Sequence, residues 1–137
     1  MRRNSPFLDT NVLVYGYVEN DPRTDRATAL IAQGGMVSVQ VLGEFVSVAR
    51  RKLRLGEVRM DAAVANLLSL FPSPLVVDLA TFHDGRRIAA RYGYQQFDAQ
   101  IVASALAAGA DELLSEDMQH GQVIDGRLTI RNPFLDD

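Results

Sequence analysis

Apolar positions fall into two rhythms along this chain: short unbroken runs and longer stripes at helical spacing. Phe7-Leu8 is a short run that ends on Asp9; Thr10 and Asn11 come next, and Val12-Leu13-Val14-Tyr15 resumes the apolar pattern. That order predicts a buried strand giving way to a helix capped by Thr10 or Asn11. Asp9 then stands at the carboxyl end of a strand, the edge where open α/β sheets bind ligands. The plainer alternative gives Asp9 to the turn alone. Pro22 opens a second helix over 22–33, with Ala27, Leu30 and Ile31 on one side and Gly34-Gly35 at its end. Met36-Val37-Ser38-Val39 reads as a short strand. Leu42, Phe45, Val46, Ala49 and Leu53 then mark a helix over 40–54, closed by Gly56.

Met60, Ala63, Val64, Leu67, Leu68 and Phe71 form the clearest amphipathic stripe, which Pro72-Ser73-Pro74 stops. A strand over 75–77 ends at Asp78, and a helix over 79–92 ends at Gly93. A further helix over 96–109 leads to a strand over 112–115 that ends at Glu116-Asp117. Leu128-Thr129-Ile130 is the last strand. Apolar strands alternating with helices predict an α/β fold, a mostly parallel sheet of about five strands with helices on both faces.

Composition narrows the function. The length of 137 residues, 47% of them hydrophobic, suits a single domain over 1–137 with a real core. With no cysteine there is no disulfide and no thiolate metal site. The opening Met1-Arg2-Arg3-Asn4-Ser5-Pro6 is basic, but Asp9 and Asn11 interrupt the apolar stretch behind it, so no signal-peptide core forms. No apolar run reaches the roughly 20 residues that span a bilayer. A cytoplasmic protein is the expectation. A net charge of -3 argues against a general nucleic-acid coat. It leaves room for an enzyme that meets phosphates through a bound cation.

Most carboxylates lie in turns or on polar faces. Four sit elsewhere. Asp9 and Asp117 each end a strand; Glu44 lies in a helix beside Val41 and Val48; Asp98 begins a face shared with Ile101, Val102, Ala105 and Leu106. Each has an ordinary explanation: a cap for Asp9, pairing with Arg51 for Glu44, a favoured first-turn acid for Asp98, a loop start for Asp117. Taken together, a parallel sheet would bring them to one edge. Two like charges about 4 Å apart repel by roughly 4 kcal/mol at an effective dielectric of about 20. A divalent ion relieves that cost, and an all-oxygen donor set selects Mg²⁺ or Mn²⁺. Such a centre suits in-line attack on a phosphodiester.

Four stretches carry a resemblance: Phe7-Leu8-Asp9-Thr10-Asn11-Val12-Leu13-Val14-Tyr15, Glu44 in its helix, Phe97-Asp98-Ala99-Gln100-Ile101-Val102-Ala103-Ser104-Ala105, and Leu113-Leu114-Ser115-Glu116-Asp117-Met118. In this order and spacing the chain resembles PIN-domain ribonucleases, among them the VapC-type toxins of bacterial toxin–antitoxin pairs. The resemblance implies a three-layer α/β/α fold and Mg²⁺- or Mn²⁺-dependent cleavage of RNA. It implies Asp9, Glu44, Asp98 and Asp117 as catalytic metal-binding residues, Asp9 and Asp98 most directly. Thr10, Asn11 and Ser115 stand as accessory positions; Glu116 is either a fifth acid of the site or a solvent-facing one. A homodimer and a cognate antitoxin that covers the cleft are implied too. The alternatives are a non-catalytic PIN scaffold that binds RNA or protein, and a phosphoacceptor receiver domain, which lacks its expected acid pair and late lysine here. His83 and His120 read as surface or structural histidines. Arg50, Arg51 and Arg54 read first as a solvated helix end, and second as an RNA-backbone contact.

Overall fold

A computed structural model describes residues 5–135; the basic opening residues and the acidic tail Asp136-Asp137 lie outside them. Phe7 and Leu8 are fully buried and form β1 (Phe7–Leu8). β1 pairs in parallel with β2 (Glu112–Leu114), Phe7 opposite Leu113 and Leu8 opposite Leu114. β2 pairs in parallel with β4 (Leu128–Arg131), and β3 (Val123–Ile124) joins β4 antiparallel, giving the order β1-β2-β4-β3. Among the described residues the sheet is mostly parallel, with four strands rather than the expected five or so.

The two shortfalls have local causes. The stretch 36–39 contracts to a bridge from Met36 to Phe7, because Val39 already starts α3 (Val39–Val48) and Gly34 and Gly35 both take positive φ. Gly35 is required there: at φ 136 a Cβ would stand 2.6 Å from the Pro6 carbonyl oxygen. The stretch 75–77 contracts to a bridge from Leu75 to Ser38. Pro72 and Pro74 lack the N–H groups that a longer strand needs, and Asp78 already caps α5 (Leu79–Tyr92). β3 is an addition to the predicted strands. Its signal is Asp125-Gly126, both at positive φ (53 and 68), in a turn closed by Arg127 N–H donating to Ile124 O at 3.0 Å. Asp-Gly between apolar residues is a strong hairpin cue.

The helices track the stripes, with shifted ends. α1 (Thr10–Tyr15) is capped by Asp9 rather than by Thr10 or Asn11. α2 (Thr24–Gln33) starts two positions beyond Pro22. Ser38 caps α3 through its hydroxyl, which accepts from Val41 N–H at 3.2 Å. α3 runs into a π-helical segment, Ala49–Leu53, that ends on Arg54 in the left-handed region; Gly56 instead precedes α4 (Glu57–Leu70) in extended conformation. Gly93 closes α5 at φ 81, as its position predicts.

The last helix, α6 (Gln96–Ala107), buries an unbroken run from Ala99 to Leu106. It packs against α5 and against β2, while α1, α2, α3 and α4 pack among themselves. Asp9, Asp98 and Asp117 are thereby brought to the carboxyl side of the parallel strands. Among the described residues no helix is long and apolar enough to cross a membrane.

Candidate active site

Asp9 is the buried centre. Chain direction puts it just past β1, and its backbone N–H donates to Leu114 O at 3.0 Å, tying it to β2. Only 4% of Asp9 is exposed. Its Oδ1 accepts from Thr10 N–H at 2.7 Å; its Oδ2 accepts from Ser115 Oγ–H at 2.7 Å and from Asn11 Nδ2–H at 3.2 Å. Asp9 is thus the helix cap and also lines the cleft, so capping does not exclude a role in a site. Burial is the largest cause lifting its carboxyl from the ordinary 3.8 to about 6; the bonds from Ser115 and Thr10 pull it down, and the charges of Asp98 and Glu44 push it up again.

Asn11 joins this centre to Asp117. Its amide nitrogen lies 3.2 Å from Asp117 Oδ2 and 3.3 Å from Ser115 Oγ, and its Oδ1 accepts from Glu116 N–H at 3.0 Å. Ser115 is fully buried between them and also accepts from Asp117 N–H at 3.2 Å. The accessory positions Thr10, Asn11 and Ser115 therefore orient the acids.

Glu44 reaches the same place from α3. Its Oε1 accepts from Thr10 Oγ1–H at 2.8 Å and its Oε2 from Gln40 Nε2–H at 2.9 Å; it makes no pair with Arg51. Gln40 also donates to the Phe97 carbonyl at 3.0 Å, and accepts from Gln100 Nε2–H at 3.1 Å. One glutamine thus links the Glu44 helix to the first turn of α6, where Asp98 stands. Asp98 is half-buried, and its carboxyl is raised by burial first, then by Glu44 and Asp117, against the bond from Gln95. Gln40 and Gln100 are missing from the sequence prediction. Their spacing offers one cue, since Gln40 and Glu44, like Gln96 and Gln100, are four apart on a helix.

All four acids line one cleft of about 910 Å³, together with Thr10, Asn11, Arg51, Lys52 and Phe97. Glu116 does not line it. Tyr15 O–H donates to Glu116 at 2.6 Å and Arg23 holds it at 3.1 Å, so it turns neither into the cleft nor freely to solvent. His120 accepts from Asn132 N–H at 2.9 Å and His83 lies against the Phe82 ring; neither lines the cleft.

Among the described residues, no three acidic or histidine side chains form a metal-holding group by themselves. The acids share a cleft, and their oxygens are bonded to Thr10, Asn11, Ser115 and Gln40. The donor chemistry still fits a hard divalent ion bound through carboxylates and water: only oxygen ligands are on offer, and a buried carboxyl disfavoured by neighbouring charge gains from a cation.

Known proteins agree with this architecture. The family model for the PIN domain matches residues 7–124. No curated protein matches the sequence. Among solved structures, a toxin–antitoxin complex from Klebsiella pneumoniae aligns with a TM-score of 0.70 at 18% identity, covering 95% of this chain and 98% of the other. FitAcB from Neisseria gonorrhoeae gives 0.68 at 20% identity, over 94% and 98%. VapC20 from Mycobacterium tuberculosis, described as a Sarcin-Ricin loop cleaving toxin, gives 0.63 at 22% identity, over 80% and 87%. At these identities the likeness is one of fold, and the family model carries the assignment. The chain belongs to the PIN domain family.

Proposed function

We propose that this chain is a metal-dependent endoribonuclease and the toxin of a type II toxin–antitoxin pair, working in the cytoplasm as a homodimer. The observation that carries the proposal is that Asp9, Glu44, Asp98 and Asp117, from four separate stretches, line one cleft. The fold likeness to toxin–antitoxin complexes and to an RNA-cleaving toxin supports it.

Asp9 and Asp98 are the residues that would hold Mg²⁺ or Mn²⁺, with Glu44 and Asp117 completing the set. When bound, such an ion supplies charge stabilisation to a phosphodiester and acidity to a water molecule. The chain itself does the positioning. Thr10 N–H and Ser115 Oγ–H fix the two oxygens of Asp9. Asn11 keeps Asp117 in register with Asp9, and Gln40 keeps Glu44 in register with α6. Val14, Val18, Val48 and Leu53 add an apolar wall to the cleft, suited to an antitoxin segment lying over the acids.

The test is cleavage of RNA by purified protein in Mn²⁺. Asp9→Asn and Asp98→Asn should lose cleavage with the fold retained, and EDTA should abolish it in the parent. Cleavage that persists in EDTA, or in both variants, would refute the assignment.

A further inference from the structure

The basic run 50–54 does not act as one unit. Arg50 is paired with Glu57 at 3.1 Å, and Arg54 forms the left-handed turn outside the cleft. Arg51 and Lys52 differ from both. They are exposed and line the same cleft as the four acids. Among the described residues, neither side chain has an ion pair or hydrogen bond.

Local backbone explains how adjacent residues reach one cleft. Arg51 and Lys52 lie in the π-helical segment Ala49–Leu53, whose widened turn departs from α-helical register just where the helix meets the site. Such segments are rare, and many stand at functional sites.

The electrostatics give the two cations a purpose. A polyanion entering the cleft meets four carboxylates at close range, and at about 0.1 M salt charges are screened only beyond about 10 Å. Seating such a strand needs positive charge that is not already neutralised inside the protein. A guanidinium and an ammonium without internal partners provide it, the first with bidentate geometry for phosphate.

We infer that Arg51 and Lys52 seat an RNA backbone phosphate next to the one that is cut, so that the strand lies across the acids with a neighbouring phosphate on this cationic rim. The inference rests on the nuclease reading for its substrate. The two residues are positioning residues: they touch the strand beside the reacting phosphate.

The experiment uses single-stranded RNA in Mn²⁺ with the parent, the double variant R51A/K52A, and R51K. The double variant should raise KM by about tenfold or more, as loss of two charge-assisted contacts implies, while kcat changes far less. In the Asp9→Asn background, RNA binding by the double variant should lose about 0.7 from its slope of log affinity against log salt, the value for one phosphate contact on a single strand. R51K should restore most of that slope. Both residues are exposed, so the melting temperature should stay near the parent's.

Lys52 is the chain's sole lysine, which adds a direct readout. RNA oxidised to a dialdehyde at its terminal ribose should condense with the Lys52 amine, releasing water, and borohydride added afterwards should reduce that imine to a stable amine link; the link should be lost in K52R. The N-terminal amine is the background control. If the double variant matches the parent in KM, salt slope and coupling, the rim assignment falls while the nuclease reading stands. If the parent leaves RNA uncut but binding and coupling depend on Arg51 and Lys52, the cleavage reading falls and the rim stands.

Discussion

Ser115, just past β2, donates its hydroxyl at 2.7 Å to Oδ2 of Asp9, just past the neighbouring β1. Both residues are buried, so little solvent reaches this bond. The same Ser115 oxygen accepts from Asp117 N–H at 3.2 Å, so one small side chain positions two acids. Ser115→Ala should cost about 1–3 kcal/mol, the usual cost of stranding buried polar partners. It should also raise the Mn²⁺ concentration needed for half-maximal RNA cleavage. Urea denaturation and a metal titration check the two effects separately. A variant matching the parent in both would remove Ser115 from the site.

Asp9 makes stability in EDTA depend on pH. Its carboxyl sits at about 6 in the fold against 3.8 ordinarily, with burial the main cause. As pH rises from about 4, the unfolded chain loses this proton first, so the folded state binds more protons and is weakened. The contribution is fully present below about 4 and lost as pH passes about 6, on the order of 3 kcal/mol in all. Asp21, Asp78 and Asp125, whose carboxyls are lowered, act in the opposite direction. The test is therefore the difference between parent and Asp9→Asn. The stability of the parent relative to the variant should fall between about pH 4 and pH 6 and level off above. A difference that stays constant with pH would contradict the buried, charge-crowded setting of Asp9.

The range of each interaction decides how much of this fold is legible in the sequence. Helix stripes and the strand-end acids are local patterns, so α2, α4, α5 and α6 and the places of Asp9 and Asp98 can be read directly. The stretches 36–39 and 75–77 look like strands because they are apolar, but their neighbours curtail them: Gly35 presses on Pro6, and Pro72 and Pro74 lack donors. Asp125-Gly126 is a readable hairpin cue that the five-strand expectation leaves out. The orientation of Glu116 is not readable, since Tyr15 and Arg23, which hold it, lie about a hundred positions away in sequence. The Gln40 link from Glu44 to Phe97 O is hidden for the same reason, its far partner being 57 positions on.

Gln40→Ala tests that link. The change removes a donor from both Glu44 Oε2 and the Phe97 carbonyl, and an acceptor from Gln100. Stability should drop by about 1–2 kcal/mol, because the network is only half-buried and water can enter. RNA cleavage should fall more than stability accounts for, with kcat the affected constant, because Glu44 and the Asp98 turn lose their common brace. Gln40→Glu should be worse at neutral than at acidic pH, since it sets a carboxylate against Glu44. Equal activity for Gln40→Ala and parent would reduce the link to packing.

Glu116 provides the contrasting case, an acid beside the site that points elsewhere. It accepts from Tyr15 O–H at 2.6 Å and from Arg23 at 3.1 Å, and Arg23 stacks over the Tyr15 ring with its guanidinium carbon 4.3 Å from the centroid. Tyr15 is pushed up to about 12, first by burial and then by the bond and charge of Glu116. Glu116→Gln keeps the shape and removes the charge, so the Tyr15 titration should move down, though desolvation keeps it above the ordinary 10.0. Arg23 retains Asp21, 2.9 Å away, so the stability cost should stay within about 1 kcal/mol, as for other partly exposed pairs. The Mn²⁺ requirement of RNA cleavage should not change, whereas Asp117→Asn, on the other side of the same turn, should raise it. An ultraviolet titration of the tyrosines and a Mn²⁺ titration of both variants decide the matter. A raised requirement in Glu116→Gln would place this acid among the proposed metal-binding residues.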